Sequence, residues 1–220
     1  YPLLMVQYSG PDSQEVLDKF EIDWEFALAQ EGYIVACVDG RGTGARGREW
    51  RKCTYLNLGI LESDDQIAAA KAFGKYSYID ASRIGIWGWS FGGYMTLLSL
   101  CRGEGTFKAG VAIAPVTDWR FYDSIYTERY LRTPQENPEG YRKGAPLALA
   151  DRLKGNLLII HGSADDNVHL QNTMDFTEKL VQSDMPFEMA VYTDRDHGIY
   201  GGNTRYHLFS RIVSYLKKNL

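Results

Sequence analysis

The chain is short of everything that builds a metal centre, a disulfide framework or a membrane span. Among 220 residues there are three cysteines, Cys37, Cys53 and Cys101, too far apart for a ligand pair or a disulfide scaffold. Cys37 and Cys101 fall in apolar runs, which predicts buried thiols. Cys53 has no such setting. The four histidines show no metal-ligand spacing, so neither a metal nor a cofactor is expected. No apolar run approaches the roughly 20 residues that cross a bilayer. No block of like charge exists either. Lys and Arg number 24 against 28 Asp and Glu, a net charge of −4, which gives nucleic acid and anionic lipid no electrostatic footprint. Internal repeats, low-complexity tracts and linkers are also missing. What remains is 45% apolar and 24% charged, the balance of one globular domain with a sizeable core. Tyr1-Pro2 opens the chain without an initiating Met or a signal-peptide pattern. The chain thus reads as a piece of a longer protein, whose ends carry no information on targeting.

Short apolar runs alternate with helical ones. Leu3 to Tyr8 reads as a strand stopped by Ser9-Gly10-Pro11-Asp12. Trp24 to Gln30 reads as a helix and Tyr33 to Val38 as the next strand. Asp39 to Arg48 is a glycine- and arginine-rich loop. Ile60 to Phe73 has helical spacing, with Glu62, Asp64 and Asp65 as a polar stripe. Asp80 is placed to cap a turn into a third strand from Ile84. Further strands are expected at 110–114, 157–161 and 187–192, and helices at 170–183 and 206–218. Residues 118–142 are aromatic and polar without clear period and read as irregular helices over the sheet edge. Alternating strands and helices predict an α/β fold, a mostly parallel sheet flanked by helices on both faces.

One stretch carries the chemistry. Ile84, Ile86 and Trp87 form a strand, Gly88-Trp89-Ser90-Phe91-Gly92 spells G-x-S-x-G, and an apolar helix follows. That context is a nucleophile elbow: the serine is lifted above the sheet, at a helix N-terminus whose free N–H groups face a developing oxyanion. Ser90 needs a base, and the base needs an acid. His197 lies in a polar loop past the last strand. Asp165 and Asp166 lie in the loop before it, past His161. The order Ser, Asp, His is that of the α/β-hydrolases. Spacing alone leaves Asp165 and Asp166 both open. His161, at a strand end, reads as a structural histidine, and His169 and His207 as surface residues. The Phe91 N–H supplies one oxyanion donor, and the Tyr8–Pro11 loop, through the Tyr8 phenol, is the place for a second. Trp119, Phe121, Tyr122, Tyr126 and Tyr130 form an aromatic cluster just past the fourth strand, equally readable as a flat-walled pocket or as a core beneath a lid.

The segments G-W-S-F-G-G, H-G-S-A-D-D-N-V, D-R-D-H-G-I and D-G-R-G-T-G resemble the prolyl oligopeptidase family of serine peptidases. Ala114 to Tyr130 is similar to its dipeptidyl peptidase IV branch. The resemblance covers essentially the whole chain. It implies an α/β-hydrolase catalytic domain spanning 1–220, with a β-propeller and the first strands of the usual sheet lying outside it. It implies Ser90, Asp165 and His197 as the triad, which favours Asp165 over Asp166, and Tyr8 with Phe91 as the oxyanion hole. Val116, Trp119, Tyr122, Tyr126 and Val168 match the pocket that accepts proline, and Asn167 a residue that holds a substrate carbonyl. Phe91 stands where relatives often have Tyr, but only its N–H is needed. The function implied is a serine exopeptidase cleaving after proline or alanine near the N-terminus of peptides. Relatives are often homodimers and often exported or membrane-anchored, so those are the implied assembly and location. Two other readings use the same residues: ester or acylaminoacyl-peptide hydrolysis, and a catalytically dead binding homologue.

Overall fold

The computed structural model describes residues 1–220. The six strands are β1 (Leu3–Val6), β2 (Ile34–Cys37), β3 (Ile84–Trp89), β4 (Ala109–Ile113), β5 (Asn156–Gly162) and β6 (Glu188–Tyr192). They form one sheet in the order β2-β1-β3-β4-β5-β6, every neighbouring pair parallel. The helices are α1 (Glu25–Gln30), α2 (Arg48–Lys52), α3 (Ile60–Phe73), α4 (Phe91–Arg102), α5 (Ser124–Leu131), α6 (Pro138–Lys143), α7 (Gln171–Gln182) and α8 (Thr204–Asn219).

The central strands are buried on both faces, and successive side chains feed two separate cores. Leu3, Met5, Ile84, Ile86 and Ile159 pack with Ile67 of α3, Leu97 and Leu100 of α4, and Phe176 and Leu180 of α7. Leu4, Trp87, Val111, Leu158 and Ile160 pack with Leu28 of α1 and with Leu208, Ile212 and Leu216 of α8. A third cluster sits over the C-terminal ends of the strands. It joins Phe91, Tyr94 and Met95 of α4 to Trp119, Leu131 and Tyr141. The aromatic stretch 118–142 therefore covers the rim above the start of α4 and not a lateral edge of the sheet. It contains a 3₁₀ turn at Trp119–Phe121, then α5 and α6.

Three expectations need correction. Cys37 is only half-buried, because β2 is an edge strand, while Cys101 is buried and Cys53 exposed. Burial still pushes both the Cys37 and Cys101 thiols up to about 12. A short helix, α2, begins at Arg48, where the loop was expected to end. Glu62 is not on a solvent stripe: with Ser63 and Gln66 it forms the fully buried face of α3. Asp80 does organise the turn before β3, its carboxylate accepting from the Ser82 amide, the Ser82 hydroxyl and Arg83 Nε at 2.6–3.0 Å.

Candidate active site

Ser90 stands between β3 and α4 with φ 60° and ψ −117°, a strained conformation for a residue with a side chain. Two backbone bonds hold it there. Its amide donates to Ile113 O at 2.8 Å and its carbonyl accepts from Tyr94 N at 2.9 Å. The flanking glycines are required by close approach. A Cβ on Gly88 would overlap the Gly92 backbone, and one on Gly92 would lie 2.6 Å from Gln7 O. Phe91 is the first residue of α4, so its N–H is among the helix donors without an intrahelical acceptor.

The loop after β5 brings Asp165 to the same rim. Its Oδ2 lies 2.7 Å from His197 Nδ1 and 3.3 Å from His161 Nε2. Its Oδ1 accepts from the Asn167 and Val168 amides at 3.0 and 2.9 Å. Burial on its own would raise this carboxyl. The hydrogen bonds from His161, His197 and the backbone outweigh it and hold the group well below the usual carboxylate range. A stably ionised Asp165 fixes the His197 tautomer with the proton on Nδ1 and leaves Nε2 free to act as a base. Asp166 is exposed and contacts neither histidine.

His197 sits in the loop after β6, half-buried. Trp89, the residue before Ser90, donates its indole N–H to His197 O at 2.9 Å, which ties the histidine loop to the elbow. Ala164 N donates to Arg195 O at 3.0 Å and Asp194 N to Ser163 Oγ at 2.9 Å, so the histidine and aspartate loops brace each other. His161 is wholly buried, with Nδ1 2.7 Å from Thr173 Oγ1 and Nε2 2.7 Å from Val168 O. It is structural, as its position implied, yet it also touches the Asp165 carboxylate. His169 and His207 are exposed, the latter bonded through Nδ1 to the Tyr192 hydroxyl at 2.9 Å.

Tyr8 lies beside the elbow, its ring 5.9 Å from that of Phe91. Burial, then Glu15 and Tyr130, raise its phenol, so it stays protonated and able to donate. Its segment is anchored by a polar network that sequence reasoning missed. Gln7 Nε2 donates to Gly92 O at 2.9 Å, Ser9 Oγ to Gln7 Oε1 at 3.2 Å, and Gln66 Nε2 to Ser9 Oγ at 3.1 Å. The only sequence signal is a glutamine adjoining each of two apolar runs, Gln7 after Leu3–Val6 and Gln66 before Ile67–Ala70.

The aromatic residues form a basket next to the elbow. Trp119 packs on Phe91 at 5.7 Å, Tyr122 and Tyr126 flank Trp119 at 5.8 and 5.9 Å, and Tyr126 meets Tyr122 edge-on at 5.4 Å. Val116 and Val168 close it as buried walls. Tyr122 donates its hydroxyl to Asn167 Oδ1 at 2.8 Å, linking the basket to the aspartate loop. Phe121 lies outside this cluster. Thus Asp165, Asn167 and Val168 share one turn, and the basket, the elbow and the Tyr8 segment converge on one notch. Such a site is equipped for nucleophilic attack on a carbonyl, proton transfer and oxyanion stabilisation.

Fold and site together define an α/β-hydrolase. The family model of the prolyl oligopeptidase family matches residues 20–220, and the chain belongs to that family. The chain is 51% identical over 222 residues to the probable dipeptidyl-aminopeptidase B of Coccidioides posadasii, covering 98% of the chain and 24% of that protein. A protein of the same description from Neurospora crassa shows the same identity and coverage. Among solved structures, the crystal structure of Porphyromonas gingivalis dipeptidyl peptidase 4 superposes with a TM-score of 0.99 at 69% identity, covering all of this chain and 31% of that one. A putative dipeptidyl aminopeptidase IV from Bacteroides ovatus gives 0.96 at 38% identity, with the same coverage. The chain spans about a quarter to a third of the length of these relatives.

Proposed function

We propose that this chain is the catalytic domain of a serine exopeptidase that cleaves after proline or alanine near the N-terminus of peptides. Ser90 attacks the carbonyl while His197 Nε2 takes its proton. Asp165 orients the imidazole and stabilises the imidazolium. The Phe91 amide and the Tyr8 hydroxyl hold the oxyanion. His197 then protonates the leaving amine, and water repeats the cycle on the acyl-enzyme. Trp119, Tyr122, Tyr126, Val116 and Val168 receive the proline ring, which is small, flat and rigid, and Asn167 holds a substrate carbonyl. The observation that carries this reading is the 2.7 Å contact between His197 Nδ1 and a carboxylate already gripped by two amides and a second histidine. The names of the relatives support the dipeptidyl reading, and their greater length supports a further domain, expected to be a β-propeller, that screens the notch. A second copy of the chain is the other expected partner, tested by the solution mass of the full-length protein.

The test compares Gly-Pro-nitroanilide with short-chain esters on the full-length protein. Efficient release of nitroaniline, abolished by Ser90→Ala, is expected. Turnover of the esters with no turnover of the proline amide would show a different acyl hydrolase.

A further inference from the structure

Beside the notch is a cavity that the proposed mechanism does not use. It measures about 440 Å³ and opens between the Pro11-Asp12 turn, α2 and the end of α5. Its charged lining is Arg51, Lys52 and Arg129 against one carboxylate, Asp12. Asp12 is already engaged by Arg51, whose Nη1 lies 3.2 Å away. Neither Lys52 nor Arg129 has an acidic partner within 4.0 Å. Arg132 adds a further cation nearby, its Nε donating at 3.0 Å to the hydroxyl of Tyr55 in the cavity wall. A concave site with three cations to one carboxylate focuses a net positive field that favours an anion.

The cavity shares walls with the proposed site. Tyr130, which lines it, packs against Tyr126 with ring centroids 4.9 Å apart, so the aromatic basket and the cavity lie on either side of these rings. Pro11 follows Tyr8 by three residues, so the strap that carries the oxyanion tyrosine also forms the cavity rim.

We propose that this cavity is a subsite for a carboxylate of the peptide substrate, which gives the enzyme a preference for acidic peptides. The inference rests on the peptidase reading above. The carboxylate could belong to a residue after the cleaved bond, to the N-terminal residue, or to a free C-terminus; these share one chemistry and separate by experiment.

The full-length protein would be assayed for kcat/KM on Gly-Pro-Ala-Ala-amide as reference. The companions are Gly-Pro-Asp-Ala-amide and Gly-Pro-Ala-Asp-amide, Asp-Pro-Ala-Ala-amide, and the reference with a free C-terminal carboxylate. At least one acidic arm should exceed the reference by about fivefold, the scale of two part-exposed ion pairs. That ratio should shrink as salt rises and fall to about one in a Lys52→Gln/Arg129→Gln double variant. Because the ratio is read within each protein, a general loss of activity or fold in the variant cancels. Equal cleavage of all arms, or a preference that survives the double variant, overturns the subsite while leaving the peptidase reading intact. Failure to cleave any of them, the reference included, overturns both.

Discussion

Replacing Glu62 by Gln should remove a large part of the pH dependence of stability. Glu62 is in the first turn of α3, 0% exposed, and neither carboxyl oxygen has a hydrogen-bond partner. Burial pushes its pKa from 4.5 up to about 8; its own amide and that of Gly59, near the carboxyl but outside hydrogen-bonding geometry, offset only part of this. The folded protein thus keeps the group neutral at pH 7, with a proton to donate. Gln66 Oε1, one turn along the same face, is an unpartnered acceptor. The sign follows from linkage. Above 4.5 the unfolded chain releases this proton while the folded one retains it, so stability falls as pH rises, until the folded group also ionises near 8. Each pH unit in that window is worth about 1.4 kcal/mol, so the loss attributable to Glu62 is about 5 kcal/mol across it and about 3 kcal/mol by pH 7. Gln has the same shape and does not titrate. Denaturant unfolding of the protein and of Glu62→Gln at pH 5, 7 and 9 isolates the term, because every other group cancels in the difference. The variant should gain on the parent steadily from pH 5 to about 8 and then level off. Two parallel pH profiles would refute a neutral buried Glu62.

The other expectations concern the notch. Asp165→Asn should lower kcat by about 10⁴ through loss of the correct tautomer, and exposed Asp166→Asn should change it little; the opposite ranking in steady-state kinetics would reassign the acid. Tyr8→Phe should lower kcat by about 10²-fold with unfolding unchanged, as removal of one oxyanion donor does; unaltered kcat would remove Tyr8 from the hole. His161→Leu leaves Val168 O and the Thr173 hydroxyl unpaired in the interior, a loss of about 2–4 kcal/mol. It should lower kcat as well, because Asp165 loses a partner. His161→Gln, which keeps an N–H donor, should recover much of both, and a Leu variant as stable and active as the parent would contradict this role.

The sheet and the elbow were legible because both rest on local rules. Short apolar runs at Ile84–Trp87, 110–114 and 157–161 marked β3, β4 and β5, and Gly88 and Gly92 marked a turn that tolerates no Cβ. The spacing of Ile60 to Phe73 gave α3 its ends to the residue, yet misassigned its face. Glu62, Ser63 and Gln66 are buried, and of these Gln66 anchors Ser9 beside Tyr8, a demand that is tertiary. The choice between Asp165 and Asp166 is open in spacing and closed in geometry: one turn sends the first inward and the second to solvent. The cationic cavity had no signature either, since the neighbours Arg51 and Lys52 are far from Arg129 in the chain and meet it only because α2 and α5 fold over the same rim.

The central claim is that Ser90 is a nucleophile activated by His197. A fluorophosphonate probe, followed by mass spectrometry of the labelled peptide from the full-length protein, tests it directly. One label per chain on Ser90 is expected, with labelling far slower in His197→Ala. Folded protein that takes no label at Ser90, or that labels at the same rate without His197, would contradict it.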